Sequence, residues 1–441
     1  MALCGYASIH NKKAGATEQV RAQPNQASLA SFIHSNYLAI SMAMALELMN
    51  TQRQSSLHLS PSHQPRIDCQ HESLPYHLDL YGDVLEAVVS RVPTADLIPA
   101  SRVSREWRRA VRSSLLRHPR RSPWLLLRCL RRPTSLHAFD PFSTSWLSLH
   151  TTTQPDAHAT TTFLSASTGD RLHTLSASTI ALSEDPFATH WRKEAKAPKV
   201  WRKDAVVAQV GRWVVVAGGG CPMVLDEGEE VGAVEVYDNQ AGTWESAEPI
   251  PVQFDGSAYA TWLSAAASDE RLYVMEKKTG LVGWFDPRSK RWGPTCQLRL
   301  DPAVSAWAIA MGRDERLVAV GQSGTKVRFW ELDRETLQPD TKMEEMPTEM
   351  VQRLFPLEEG DDDIWRCCSV EVCGTDRGGY VYNPSEMRNG AVLYEFAEEE
   401  GRMVRRWEWV PLPESVGDSC VGRMEFGCSA VGFDDLASFW R

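Results

Sequence analysis

Three cysteines, Cys367, Cys368 and Cys373, lie close enough in this 441-residue sequence to suggest a metal site. A structural zinc takes four Cys or His ligands. All twelve histidines lie at or before His190, so such a site would need a fourth cysteine from elsewhere in the fold. The same distribution excludes a Ser-His-Asp triad from most of the C-terminal half. The ten cysteines include no Cys-x-x-Cys pair, which favours reduced, intracellular thiols buried in strands, and no metal or cofactor is expected. Gly218-Gly219-Gly220 follows an apolar run but opens no helix, so it lacks the geometry of a phosphate-binding loop.

Charge is the other chemical resource, and it is unevenly spread. Residues 1–132 hold 17 Lys and Arg against 9 Asp and Glu, a net +8, and the remainder holds 30 against 48, a net −18. Eleven arginines crowd residues 102–132 and could neutralise phosphates. They alternate with apolar positions, no aromatic platform accompanies them, and the rest of the chain is acidic. A solvated face, or a salt-bridging seam to the following domain, is therefore expected in place of nucleic-acid binding. Two acidic runs, Asp226-Glu227-Gly228-Glu229-Glu230 and Glu358-Glu359-Gly360-Asp361-Asp362-Asp363, fall in the longest apparent loops, Cys221 to Gly232 and Pro339 to Asp363. Loops carry specificity on a rigid scaffold, so Asp226, Glu229, Glu230, Asp361 and Asp362 are candidate contacts for a partner with a basic surface.

The elements that would position these loops are betrayed by a repeat. An aspartate followed six residues later by tryptophan occurs at Asp140/Trp146, Asp185/Trp191, Asp238/Trp244 and Asp286/Trp292, each time after a short apolar strand. Arg328 to Asp333 and Tyr380 to Pro384 are degenerate copies without the tryptophan. The turn residues 140, 185, 238, 286, 333 and 383 are 45, 53, 48, 47 and 50 residues apart. Upstream of the turns, small-residue strands such as Ala265-Ala266-Ala267 run into a tight turn and a second strand. Each unit thus offers about four short strands, the content of a propeller blade. The recurring tryptophan is expected to be buried between blades, each indole covering roughly 200 Å². The first unit lacks its opening strand, and Met424 to Val431 has the composition to supply it, which would close a ring of six blades. Asp434 and Trp440 repeat the spacing once more, but the sequence ends at Arg441 with no room for a seventh blade's outer strand.

This repeat resembles the kelch family, whose units carry a glycine pair after one strand and Tyr-Asp then Trp after the next. The match is best at Val214-Val215-Val216-Ala217-Gly218-Gly219 with Tyr237-Asp238 and Trp244.

Ahead of the repeats, Leu80, Val84, Leu85, Val88, Val89 and Val92 share one face of a helix, with Asp83 and Glu86 resembling a capping box and Pro93 stopping it. A short stretch around Leu97 is expected to break at Pro99, and a second helix to run from Ser101 with Val103, Trp107, Ala110 and Val111 on one face. Roughly forty residues of short helices cannot enclose their own core, so their apolar faces must dock, on the propeller or on a partner. Here the sequence resembles an F-box, in Leu80-Tyr81-Gly82-Asp83-Val84-Leu85, Val88-Val89-Ser90-Arg91-Val92-Pro93, Asp96-Leu97 and Val103-Ser104-Arg105-Glu106-Trp107; Tyr81 replaces the usual proline.

The fold expected is an α+β multidomain chain: residues 1–72 a disordered N-terminal extension, 73–117 a small all-α F-box, 118–441 an all-β kelch-type propeller. The apolar stretch Leu29 to Met49 is interrupted by His34, Asn36 and Glu47, so no membrane span is expected. The whole resembles plant-type F-box and kelch-repeat proteins. That resemblance implies a non-enzymatic substrate receptor of a Skp, cullin and F-box ubiquitin ligase, cytoplasmic or nuclear. Its adaptor anchors would be Leu80, Leu85, Val88, Val92, Pro93, Leu97, Val103 and Trp107, with a cullin reached through the adaptor. The client on the ring would be a phenylpropanoid or flavonoid enzyme or a signalling regulator. A propeller enzyme and a non-ligase scaffold are the alternatives.

Overall fold

The computed structural model describes residues 82–439, apart from 121, 130–134, 151–161, 166–171, 176–179, 184, 188–190, 195–197, 201, 203–204, 221–230, 255–261, 357–369, 400–401 and 417–423. The expectation for residues 1–72 lies outside the described residues.

Three short helices come first: α1 (Gly82–Val89), α2 (Leu97–Val103) and α3 (Arg105–Arg117). Pro99 does not break the chain as expected. It sits in the first turn of α2, where a missing amide forfeits no helical hydrogen bond. The break falls instead at Ser104, whose backbone is extended (φ −155°, ψ 172°) and whose Oγ accepts from the Trp107 amide at 3.2 Å as an N-cap.

Strands then follow in sets of four. They are β1 (Pro123–Cys129), β2 (Ser135–Asp140) and β3 (Ser145–His150); β4 (Thr162–Ser165), β5 (Leu172–Leu175), β6 (Ile180–Ser183) and β7 (Trp191–Glu194); β8 (Val206–Val210), β9 (Trp213–Ala217), β10 (Val234–Asp238) and β11 (Thr243–Ala247). Next come β12 (Leu263–Ala267), β13 (Leu272–Glu276), β14 (Leu281–Asp286) and the short β15 (Arg291–Trp292) and β16 (Cys296–Gln297); then β17 (Ala306–Met311), β18 (Leu317–Ser323), β19 (Lys326–Leu332) and β20 (Pro339–Glu345). Helix α4 (Thr348–Leu354) leads to β21 (Glu371–Thr375), β22 (Gly378–Tyr382), β23 (Ala391–Glu399) and β24 (Arg402–Val410), and the chain finishes with β25 (Met424–Ala430) and α5 (Phe433–Phe439).

Among the described residues these strands pair antiparallel into six separate sheets, the first ordered β25-β1-β2-β3 and the others each built from consecutive strands. Five are described with their side chains, and the β4–β7 sheet by its backbone pairing. The late strand joins the early sheet as the missing opening strand required: β25 pairs with β1 from Pro123↔Ala430 to Cys129↔Met424. An all-β propeller behind a small helical segment is therefore the architecture.

Alternation along each strand feeds two interfaces at once. On β9, Val215 and Ala217 enter a core shared with β12, β13 and β14, and Val214 and Val216 point to the opposite side with Tyr237. The β12–β16 and β17–β20 sheets meet through Tyr273, Met275, Trp307, Ile309 and Trp330. The β17–β20 and β21–β24 sheets meet through Val318, Val320, Phe329, Val372 and Tyr394. The β21–β24 sheet returns to the first through Tyr380, Leu393, Leu125, Phe139 and Phe426.

Two expectations need correction. The degenerate copy at Asn383 is out of phase, because it ends β22 ahead of β23, the third strand of its sheet, whereas Asp333 and the four full copies stand at the turn between third and fourth strands. The presumed loop from Pro339 to Asp363 contains β20 and α4. Asp434 belongs to α5, not to a further blade.

Candidate functional site

The three helices close a small core of Leu85, Val89, Leu97, Ala100, Ala110 and Val111, with Val92, Trp107, Leu115 and Phe433 laid against it. Phe433 belongs to α5, so the C-terminal helix is a wall of the N-terminal core. From α2, Ile98 turns away and joins Trp124, Leu126, Ala138, Val431 and Leu436 in a second core against the first sheet. The helices and the ring are thus one compact unit, Asp79–Arg441.

Arg120 fastens that joint. Its guanidinium donates to the carbonyls of Val89 (3.2 Å), Ser90 (2.9 Å) and Val92 at and just past the end of α1, and it lies 4.1 Å over the Phe142 ring in the β2–β3 turn. Asp140 lies buried beside it and accepts from the Phe142 amide (2.9 Å) and the Ser143 hydroxyl (3.1 Å). Burial pushes the Asp140 carboxyl above its ordinary range, and the hydrogen bonds from Phe142, Ser143 and Thr94, with the nearby Arg120 charge, pull it back in part. Asp96 is pushed up by burial and by Asp140, and burial lowers Arg120, opposed by Asp140. A cleft of about 390 Å³ opens here, lined by Thr94, Arg117, Arg120, Trp124, Asp140 and Phe142 among others.

The expected adaptor anchors divide by exposure. Leu85 and Leu97 are buried in the helices' own core and present nothing outward; Val88, Val92, Pro93 and Trp107 are half-buried; Val103 is 66% exposed; Leu80 lies outside the described residues. Val84, read from the sequence as part of the apolar helix face but not as an anchor, is 55% exposed, and Leu116, which was not singled out, is 84% exposed. Periodicity marks an apolar face but not what covers it.

The repeat residues have a local explanation. In every copy the turn carboxylate accepts from the amide two residues on: Asp140 from Phe142, Asp185 from Phe187 (2.9 Å), Asp238 from Gln240 (2.8 Å) and Asp286 from Arg288 (2.8 Å). An Asx-turn is what aspartate does best at a hairpin. Trp146, Trp244 and Trp292 are half-buried, not enclosed as expected. Trp146, Trp244 and Trp292 sit opposite Phe139, Tyr237 and Phe285 in register, with ring centroids 5.4, 5.1 and 5.3 Å apart. Two also reach the preceding sheet in the ring, the Trp292 indole N–H donating to the Glu248 carbonyl at 3.1 Å and that of Trp146 to Pro411 at 2.8 Å. Of Trp191, β7 supplies backbone pairing with Ser183.

Antiparallel alternation sorts the connections onto two faces. The Asp140 turn, against which the helices dock, joins third to fourth strand. Residues 221–230 join second to third (β9 to β10), and 357–369 join the fourth strand of one sheet to the first of the next, so the described strand ends flanking both acidic runs lie on the opposite face. The runs themselves, with Asp226, Glu229, Glu230, Asp361 and Asp362, lie outside the described residues. The base of the first run is clamped. Arg202, buried, donates to the carbonyls of Gly218 (2.6 Å) and Ala233 (2.7 Å) and pairs with buried Glu235 at 2.9 Å; Gly218 and Gly219 take left-handed φ of 68° and 71° to make the turn. On the same face Lys277, just past the end of β13, pairs with Glu371 of β21, reaching past the β17–β20 sheet.

Among the described residues no group of three His, Cys, Asp or Glu is arranged to hold a metal, and no helix is long and apolar enough to cross a membrane. Cys373 is buried in β21, and Cys367 and Cys368 lie outside the described residues.

Comparison with known proteins fits this geometry. The F-box domain family matches residues 73–119. An F-box/kelch-repeat protein of Arabidopsis thaliana is 33% identical over 380 residues, covering 82% of this chain and 92% of that protein. A chain of the nidogen/laminin complex (8% identity, 62% of this chain and 89% of that one, TM-score 0.37) and YjhT (9%, 62% and 91%, 0.35) are more distant, below the likeness at which a shared fold is argued. On the F-box match, and on identity of 33% over most of both chains, the chain belongs to the plant F-box/kelch-repeat proteins.

Proposed function

We propose that this protein is the substrate-recognition subunit of a Skp, cullin and F-box ubiquitin ligase. Its helices hold a Skp-type adaptor, through it a cullin, and its ring, read as six blades, holds the client. The chain acts as an adaptor and performs no catalysis itself; a cytoplasmic or nuclear ligase is its setting. The observation that carries this reading is the division within the helical segment. One side is fixed to the ring by Ile98, Phe433 and Arg120, and the other leaves Val84, Val103 and Leu116 bare. Apolar side chains held rigid at a surface are the anchors that binding energy concentrates on. Val88, Val92, Pro93 and Trp107, half-buried, flank them. Leu85 and Leu97 act from beneath by shaping the helices.

The client face is the one opposite the helices, where the acidic runs leave the ring. There a client is held clear of the adaptor, and a basic client surface matches the charge. Retention on an immobilised Skp-type adaptor tests the adaptor half. Wild type should be captured and a Val103→Asp/Leu116→Asp variant should pass through while keeping its thermal transition. Failure of both folded proteins to bind would remove the receptor reading.

A further inference from the structure

Arginines of this chain cap its partly exposed aromatic rings. Arg120 lies 4.1 Å from the centroid of Phe142, Arg212 4.7 Å from that of Trp213, Arg271 4.1 Å from Trp284 and Arg353 5.2 Å from Trp409. Among the described residues every such contact is made by arginine and none by lysine. Trp262 breaks the pattern. At 53% it is the most exposed of the described tryptophans, and neither a cation nor a second ring covers it among the described residues. Its backbone is fixed all the same, because the Trp262 carbonyl accepts from the Lys277 amide at 3.0 Å and the next residue, Leu263, is buried at the start of β12. Trp262 ends the connection from β11 to β12, a fourth strand to the first of the next sheet, and so stands on the face opposite the helices; Val252, 83% exposed, is on the same connection. Glu276, Lys277, Lys278 and Glu371, at the adjoining turn and the strand it pairs with, sum to zero charge. The field there is set by the remainder of the chain, which holds 30 Lys and Arg against 48 Asp and Glu beyond residue 132.

We propose that Trp262 is an open acceptor for an arginine of the client, the guanidinium stacking on the indole as this chain's own arginines stack on its other rings. The inference rests on the receptor reading above and names the contact by which the ring recognises its partner. A planar, weakly hydrated guanidinium suits a single ring, whereas a methylated ammonium needs a cage of several. A nucleic-acid base is the poorer match, because a chain this acidic repels the phosphates that accompany it.

The test is selection of a random peptide library on the immobilised full chain at about 150 mM NaCl, where unspecific attraction to an acidic surface is screened. Peptides retained by wild type should carry arginine at one fixed position, enriched over the input and over lysine. The best of them, resynthesised with citrulline in place of that arginine, should bind at least about threefold more weakly. Trp262→Leu, which keeps apolar bulk and removes the ring, should lose a similar factor while retaining its thermal transition, and Trp262→Phe should lose less. The citrulline peptide reads the cation without altering the protein, so the result does not hang on the folding of a variant. Arginine and lysine enriched alike, equal binding of the citrulline peptide, equal binding by a folded Trp262→Leu, or no peptide retained at all overturns the inference. So does Trp262-dependent binding of a fluorescein-labelled oligothymidine, which would assign the ring to bases. Wild type is also passed over the immobilised Skp-type adaptor: capture there leaves the receptor reading standing when the peptide result is negative, and failure of capture removes that reading, and with it the client, whatever the peptides do.

Discussion

The ring and the helices bury side chains by different means. In the ring, a strand such as β9 serves cores on both of its faces, and pairing of β25 with β1 completes the first sheet with its fourth strand. The helical segment has one small core, and even that is finished by Phe433 from the far end of the chain. Its second anchorage, Ile98 with Trp124 and Leu436, belongs as much to the ring as to itself. A closed repeat can satisfy all of its faces, and a segment of about forty residues cannot. What is left over on the helices is available to a partner, whereas on the ring only the connections are.

Cutting the ring where it is most self-sufficient should give the largest effect. Arg202→Met leaves the Glu235 carboxylate buried beside the Lys199 and Val200 amides without its cation. An uncompensated buried charge costs about 3–5 kcal/mol, read as a lowered urea midpoint. Adding Glu235→Gln should restore much of the loss, since a neutral amide can stay buried; no recovery would show that Arg202 acts through its carbonyl bonds alone.

A matched pair on the helices sharpens the contrast. Leu97, buried, should cost about 2–4 kcal/mol when cut to Ala. Val103→Asp, six residues on and exposed, should stay within about 0.5 kcal/mol of wild type in the same denaturation series. If Val103→Asp proves as damaging as Leu97→Ala, the surface called bare is covered in solution and the comparison collapses. Smaller again is Trp292→Phe, which keeps an aromatic opposite Phe285 and deletes the indole bond to Glu248. About 1 kcal/mol is expected, with sheet content unchanged by circular dichroism.

Much of the ring could be read from the sequence because one chemical solution recurs: an Asx-turn needs Asp at the same step of each hairpin, and the aromatic before it needs a ring across the strand. The same local chemistry misled at Asn383. Its side chain also accepts from the amide two residues on, Ser385 at 3.0 Å, but at a different connection of the sheet, and a turn motif does not say which strands it joins. Pro99 misled for a related reason, since a proline breaks a helix only beyond its first turn. Arg120 gave no signal at all. It was one of eleven crowded arginines, and its role depends on carbonyls 28 to 31 residues away that local pattern cannot bring together. The exposed Leu116 was missed because exposure is a property of packing against neighbours, which spacing alone does not contain.

The subtlest effect should appear where the two regions meet. Burial raises the folded-state pKa of Asp140 above its unfolded value near 3.9, and Asp96 beside it moves the same way. A carboxyl with a raised folded pKa is more protonated in the folded than in the unfolded state between those two values, so stability falls as pH rises through that window. At lower pH the joint is relieved of buried charge; above the raised pKa the full penalty is present, offset by Arg120 and the turn amides. Asp140→Asn keeps an acceptor for Phe142 and removes the titration. Thermal midpoints between pH 3.5 and 6.5, taken as the difference between variant and wild type, should therefore shift in the variant's favour as pH rises. A difference that is flat across the range would mean that Arg120 already holds Asp140 ionised at no cost, and that the joint is as well compensated as the interior of the ring.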